Sequence, residues 1–196
     1  MKKMAWCFVT LLVIAACRNK NKAVTGADSQ PGTDTSSIYD LTTFFNSQLQ
    51  YASALKTPVY KISEVDTKKD SVTLTQEQLK EWMHFFTEKN IATPALRPLY
   101  RETVFQDLTT KSYTINYTSI NPDAVIRSID ILLDQESSQV KRVFIRSNYR
   151  KGDTLVTEQA NWKAFSSFTV NRYMTAGTYT HTELNYINWN NDTSAQ

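Results

Sequence analysis

Two histidines, a few carboxylates and two cysteines are the residues of this chain best suited to move protons, hold a metal or form a covalent bond. His84 follows Glu81 by three residues and precedes Glu88 by four, so a helix sets both carboxylates beside the imidazole on one face. Di-iron bundles use Glu-x-x-His, but they need two copies and further carboxylates from other helices, and this chain has one. The spacing predicts local pairs on a solvated helix face. His181 and Glu183 are two apart, which on a strand points both to the same side. A carboxylate there would orient the ring as a base. No nucleophile motif such as Gly-x-Ser-x-Gly accompanies them, and the expectation is the polar face of a last strand. Asp107, Asp130, Glu158 and Glu183 lie on or beside predicted strands. Carboxylates held about 5–9 Å apart would suit glycoside hydrolysis, yet no spacing in the sequence sets such a separation. Asp130, between Ile129 and Ile131, is expected to face solvent or to pair with Arg127 or Arg146 across the sheet. No catalytic, metal-ligating or cofactor-binding residue is assigned. There is neither a Walker pattern nor a dinucleotide fingerprint, and the chain has only four glycines.

The cysteines carry the strongest signal. Cys7 lies inside an apolar run, Ala5 to Ala16, that follows Lys2 and Lys3. Cys17 ends it, after Ile14-Ala15-Ala16. The run is about 12 residues, short of the roughly 20 that span a bilayer. A positive start, a short apolar stretch and small residues before the end predict a secretory signal, residues 1–17. Ile14-Ala15-Ala16-Cys17 resembles the lipobox of bacterial lipoproteins. The resemblance implies that the Cys17 thiol receives a diacylglyceryl group. The chain is then cut before Cys17, and the new amine takes an acyl chain such as palmitate. Cys17 is the expected lipid-attachment residue, and the membrane is the expected first partner.

Residues 18–36 offer almost nothing apolar to bury, so ordering them would cost entropy with no return. They read as a tether whose ends lie roughly 25 Å apart as a coil and about 65 Å when stretched. No acidic cluster follows Cys17, which resembles the periplasm-facing lipoproteins of Bacteroidetes rather than those sent to the cell surface. The chain carries 22 basic and 19 acidic residues, with a pI near 8.8. Setting aside Lys2, Lys3, Arg18, Lys20, Lys22, Asp28 and Asp34 leaves residues 37–196 with equal numbers of both signs. A nucleic-acid partner needs a basic body to neutralise phosphates, so none is expected. Residues 37–196 also contain no cysteine. Disulfides and thiol chemistry are excluded there, and an apolar core must hold the domain together.

One domain, 37–196, matches the usual domain size. Ser37-x-x-Asp40 reads as a capping signal ahead of a helix whose Ile38, Leu41, Phe45, Leu49, Ala52 and Leu55 share a face. Lys56-Thr57-Pro58 ends it. Val59 to Val65 and Ser71 to Leu74 predict a short hairpin, with Asp66 to Asp70 as its turn. Thr75-x-x-Gln78 is a capping box opening a second helix, with Leu79, Trp82, Met83 and Phe86 as its apolar stripe. From about residue 102 the period becomes two. Tyr113, Ile115 and Tyr117 share one face, and Val125, Ile129, Ile131 and Leu133 another. Turns are predicted at Asn121–Asp123, Asp134–Ser138 and Arg150–Asp153. Short strands joined by turns predict antiparallel pairing, and half-polar strands predict a sheet with one wet face. The expected fold is α+β: two N-terminal helices with a short β-hairpin between them, packed on one face of a mostly antiparallel sheet of about six strands. Aromatic residues make up 12% of the chain. Core packing is the expectation for Tyr113 and Tyr117, and the places of Tyr149, Tyr173, Tyr179, Tyr186 and Trp189 stay open.

The body resembles the envelope lipoproteins of Bacteroidetes. The expected function is that of a lipid-anchored protein of the bacterial cell envelope facing the periplasm. It is expected to be a non-enzymatic binding or interaction module whose partner is an envelope protein, a glycan or a lipid. The alternative is a carrier of lipid or another amphiphile. Lipoprotein-localisation factors, whose curved sheet and helices enclose an apolar cavity, have a compatible element order. A carrier would show a solvent-open cavity lined by residues such as Phe85, Phe86, Ile129 and Ile131; an interaction module would show a filled core. A hydrolase is the third expectation, and would need His84 or His181 to meet a carboxylate or serine in a concave pocket.

Overall fold

Local signals set the first elements of the computed structural model, which describes residues 38–190. The predicted signal, the tether and Cys17 lie outside those residues. Asp40 caps the first helix, α1 (Leu41–Ala54), accepting the Thr43 N–H at 3.1 Å. The helix thus starts one residue after Asp40 and leaves Ile38 ahead of it, because the aspartate carboxylate satisfies a first-turn donor that would otherwise be orphaned. The second helix, α2 (Gln76–Thr87), opens with the full capping box: Thr75 accepts from the Gln78 N–H while the Gln78 side chain accepts from the Thr75 N–H.

Between the helices lie β1 (Val59–Val65) and β2 (Lys68–Leu74). After α2 and a single 3-10 turn at Arg97–Leu99 come seven strands. They are β3 (Tyr100–Asp107), β4 (Ser112–Ser119), β5 (Ile126–Asp134), β6 (Val140–Lys151), β7 (Thr154–Lys163), β8 (Ser167–Ala176) and β9 (Tyr179–Asn188). All nine described strands form one antiparallel sheet in the order β2-β1-β9-β8-β7-β6-β5-β4-β3. The class and the antiparallel pairing match the sequence pattern; the strand number of about six does not. The hairpin β1–β2 is part of the main sheet because β1 adds to β9. The strand β3 has no buried face to produce an alternating pattern, so it escaped the period-two reading. The β1–β2 turn is also tighter than Asp66–Asp70. Asp66 takes a positive φ of 55° and Lys68 already pairs with Val65.

One row of opposed side chains crosses the whole sheet and shows where the core sits. It runs Val104, Ile115, Ile131, Val143, Trp162, Phe168, Ile187, Lys61, Val72. Ile131 through Ile187 are fully buried, under the two helices. Phe45 and Phe86 meet Trp162 with ring centroids 5.1 and 4.8 Å apart, and Trp162 stacks on Phe168 at 4.9 Å. Trp189, which the sequence left open, joins this cluster 5.4 Å from Trp162. Each such aromatic pair adds roughly 0.5–1.5 kcal/mol beyond burial itself. At one end of the row the Lys61 ammonium lies over the Trp82 ring at 5.3 Å. At the other end Val104 stands bare.

Candidate interaction surface

Both histidines and the four strand carboxylates Asp107, Asp130, Glu158 and Glu183 have side-chain or backbone partners. His84 and Glu88 form an exposed pair across one helical turn, 3.2 Å apart, as the spacing predicted. His181 does not use Glu183. Its Nδ1 lies 2.9 Å from Asp66 Oδ2, while Asp66 Oδ1 accepts the Thr182 N–H. That backbone bond, with the histidine contact behind it, holds the Asp66 carboxyl below the usual carboxylate range. The two histidines thus serve separate local contacts. Asp130 meets Arg146 at 3.1 Å and accepts from Asn116, whereas Arg127 turns away to the Asn121 and Pro122 carbonyls. Asp107 accepts from Thr109 and Thr110 and so fastens the β3–β4 turn.

Glu158 and Glu183 do come together, through Arg172. The guanidinium binds Glu158 at 2.8 Å and Glu183 at 3.3 Å. Lys89, just past α2, reaches the other Glu158 oxygen at 2.7 Å, a full ion pair although off the hydrogen-bonding direction. Glu158 is 1% exposed, and both cations also lie against the Phe85 ring, at 4.3 and 5.4 Å. Burial alone would raise the Glu183 carboxyl; the Asn185 amide and Arg172 outweigh it and hold it lowered. A carboxyl held below its ordinary range, as that of Glu183 is, is a poor proton donor. The arrangement ties the end of α2 to β7, β8 and β9. Neither Lys89 nor Arg172 stands out in the sequence, because their partners are supplied by strands far along the chain.

Phe86, Ile129 and Ile131 are fully buried. Phe86 is ringed by Phe45, Phe85, Trp162 and Phe168. The space that a carrier would leave open is filled at these residues. A groove of about 530 Å³ lies beside α1, between Tyr39, Phe44, Gln48, Val140 and Phe165. Phe165 holds a positive φ of 57°, a costly conformation for a bulky residue. It is kept there by the buried Gln48, which accepts its N–H at 2.7 Å, and by edge contact with the Tyr51 ring. Gln48 is a polar residue on the buried stripe of α1, between Phe45 and Ala52. A smaller hollow of about 240 Å³ lies on the wet face, lined by Phe144, Arg146, Gln159, Asn161 and Asn171.

A run of exposed apolar side chains lies at the β3 end of the sheet. Val104, Phe105 and Leu108, on β3 and its turn, are 60%, 66% and 72% exposed. Among the described residues β3 pairs only with β4, so its outer edge carries unpaired backbone donors and acceptors. The opposite edge, β2, carries Lys68, Lys69 and Asp70, with Lys69 paired to Glu64 at 3.4 Å. Charges are the usual means of silencing a sheet edge; on β3 they sit at Arg101, Glu102 and Asp107 and leave the stretch 103–106 without one. The adjacent apolar pair Val104-Phe105 in an otherwise polar segment was the one sequence sign of this. Comparison with family models, with curated proteins and with solved structures gives no match to this chain.

Proposed function

We propose that this protein is a non-enzymatic interaction module of the bacterial envelope, lipid-anchored through Cys17, that engages a protein partner along the β3 edge. The observation that carries the reading is the exposed Val104–Phe105–Leu108 edge. Two further features support it: the carboxylates best placed for chemistry are neutralised by Lys89, Arg172 and Arg146, and aromatic rings fill the region where a carrier would hold its cargo. The anchor rests on Ile14-Ala15-Ala16-Cys17 and on the polar stretch behind it.

Two experiments test the two halves. Cys17→Ala in the full chain should move the protein from the membrane fraction to the soluble fraction; retention in the membrane would remove the anchor. A photocrosslinker at Phe105 should trap a partner in envelope preparations, while one on the β2 edge at Lys69 should not. Equal yields at both edges would remove β3 as the interaction surface.

A further inference from the structure

The chemistry of β3 specifies its own partner. An added antiparallel strand must oppose inner-face residues to inner-face residues, since a slip of one position turns every side chain over. In β3 the inner-face residues are Tyr100, Glu102, Val104 and Gln106, and the outer-face residues are Arg101, Thr103, Phe105 and Asp107. When β3 pairs with a copy of itself about an axis through Glu102, two glutamates meet. An axis through Thr103 sets Arg101 against Phe105. An axis through Phe105 sets Asp107 against Thr103. Only the axis through Val104 opposes Arg101 to Asp107, and symmetry makes that ion pair twice. In the same register Thr103 faces Phe105, Leu108 comes against Tyr100, and the two Val104 side chains meet on the axis.

We infer that β3 docks a second copy of this chain, antiparallel across a two-fold axis at Val104. Resting on the reading of β3 as the interaction edge, this names the partner. Pairing continues the sheet from one copy into the other, satisfies the edge N–H and C=O groups, and covers the apolar side chains that β4 and the helices leave open. The edge is self-complementary in charge, with Arg101 near one end and Asp107 at the other.

The test uses the full chain carrying Cys7→Ser and Cys17→Ser, so that an introduced thiol is the only one. Opposed residues in antiparallel strands have Cα atoms about 4.5–5.5 Å apart, within disulfide reach. Mild oxidation should link Val104→Cys to itself. Thr103→Cys and Phe105→Cys should each stay monomeric alone and link when mixed. Arg101→Asp should lower the Val104→Cys dimer yield about tenfold, through two lost ion pairs and two new repulsions, and adding Asp107→Arg should restore most of it. Equal crosslinking at all three positions, or none at Val104→Cys, overturns the pairing. A monomer in solution whose Phe105 photocrosslinks to a different envelope protein overturns the second copy and leaves the interaction edge standing. Loss of every Phe105 crosslink overturns both.

Discussion

Strands β2 and β3 are the two edges of one sheet, and both are exposed along most of their length. They differ in what they expose. The β2 edge presents Lys68, Lys69 and Asp70 and runs directly into the capped start of α2 at Thr75. The β3 edge presents Val104 and Phe105, which no helix among the described residues buries. Both strands carry three charged residues, but on β2 these stand together at 68–70, whereas on β3 Val104 and Phe105 stand exposed between Glu102 and Asp107. The difference shows that exposure by itself says little about function, and that the chemistry of the exposed edge decides it.

The comparison can be sharpened by showing that stability resides under the helices and association at β3. Trp162→Ala, at the meeting point of Phe45, Phe86, Phe168 and Trp189, should cost about 3–5 kcal/mol in denaturant unfolding. A loss below about 1 kcal/mol would show that the aromatic cluster does not hold the helices to the sheet. Next in size, Arg172→Ala leaves the buried Glu158 with Lys89 alone and should cost about 3 kcal/mol.

Acid should reach the same network. The Glu183 carboxyl is lowered in the folded protein. Its contribution is therefore present above the ordinary carboxylate range and lost as pH falls through the folded value. Glu183→Gln should shrink the fall in denaturant midpoint between about pH 7 and about pH 3, and an unchanged fall would place the acid sensitivity elsewhere.

Tyr117 tests the region where α1 begins. Its hydroxyl accepts the Tyr39 N–H at 3.0 Å, and burial pushes its pKa up to about 12. Because the folded value is raised, stability is intact below about pH 10 and lost as pH rises through the folded value. Tyr117→Phe should cost about 1 kcal/mol at neutral pH, measured by thermal or denaturant unfolding, and should weaken the alkaline loss.

The smallest effect on stability belongs to the edges themselves. Phe105→Lys should change unfolding by less than about 0.5 kcal/mol and yet reduce association in sedimentation or light scattering. The converse change on β2, Lys68→Val with Lys69→Val, should raise association without destabilising the fold. If the β2 change has no such effect, edge charge is not what separates the two strands.

Much of the fold was legible one segment at a time. Asp40, Thr75 and Gln78 mark helix starts because each acts on a backbone donor within three residues. Ile129, Ile131, Val143 and Ile145 mark strands because each alternates with its own neighbours. Trp189 and Gln48 were harder. Trp189 is buried by Trp162 and Phe168, while Gln48 is buried with its side chain bound to Phe165, more than a hundred residues away. His181 shares a strand side with Glu183 in the sequence pattern but pairs with Asp66, since the return of β9 beside β1 brings that turn alongside.

The sequence by itself determined the local grammar: where helices start, where hairpins turn, and that residues 37–196 must fold without a thiol, on an apolar core. It also carries the Cys17 motif on which the proposed anchor rests. The tertiary structure decided which strands are edges, that β1 closes onto β9, and that Glu158 lies buried between Lys89 and Arg172. The physical reason is range. Caps, turns and alternation act over a few residues, whereas burial, charge pairing and an uncovered edge depend on which distant segment arrives beside each residue.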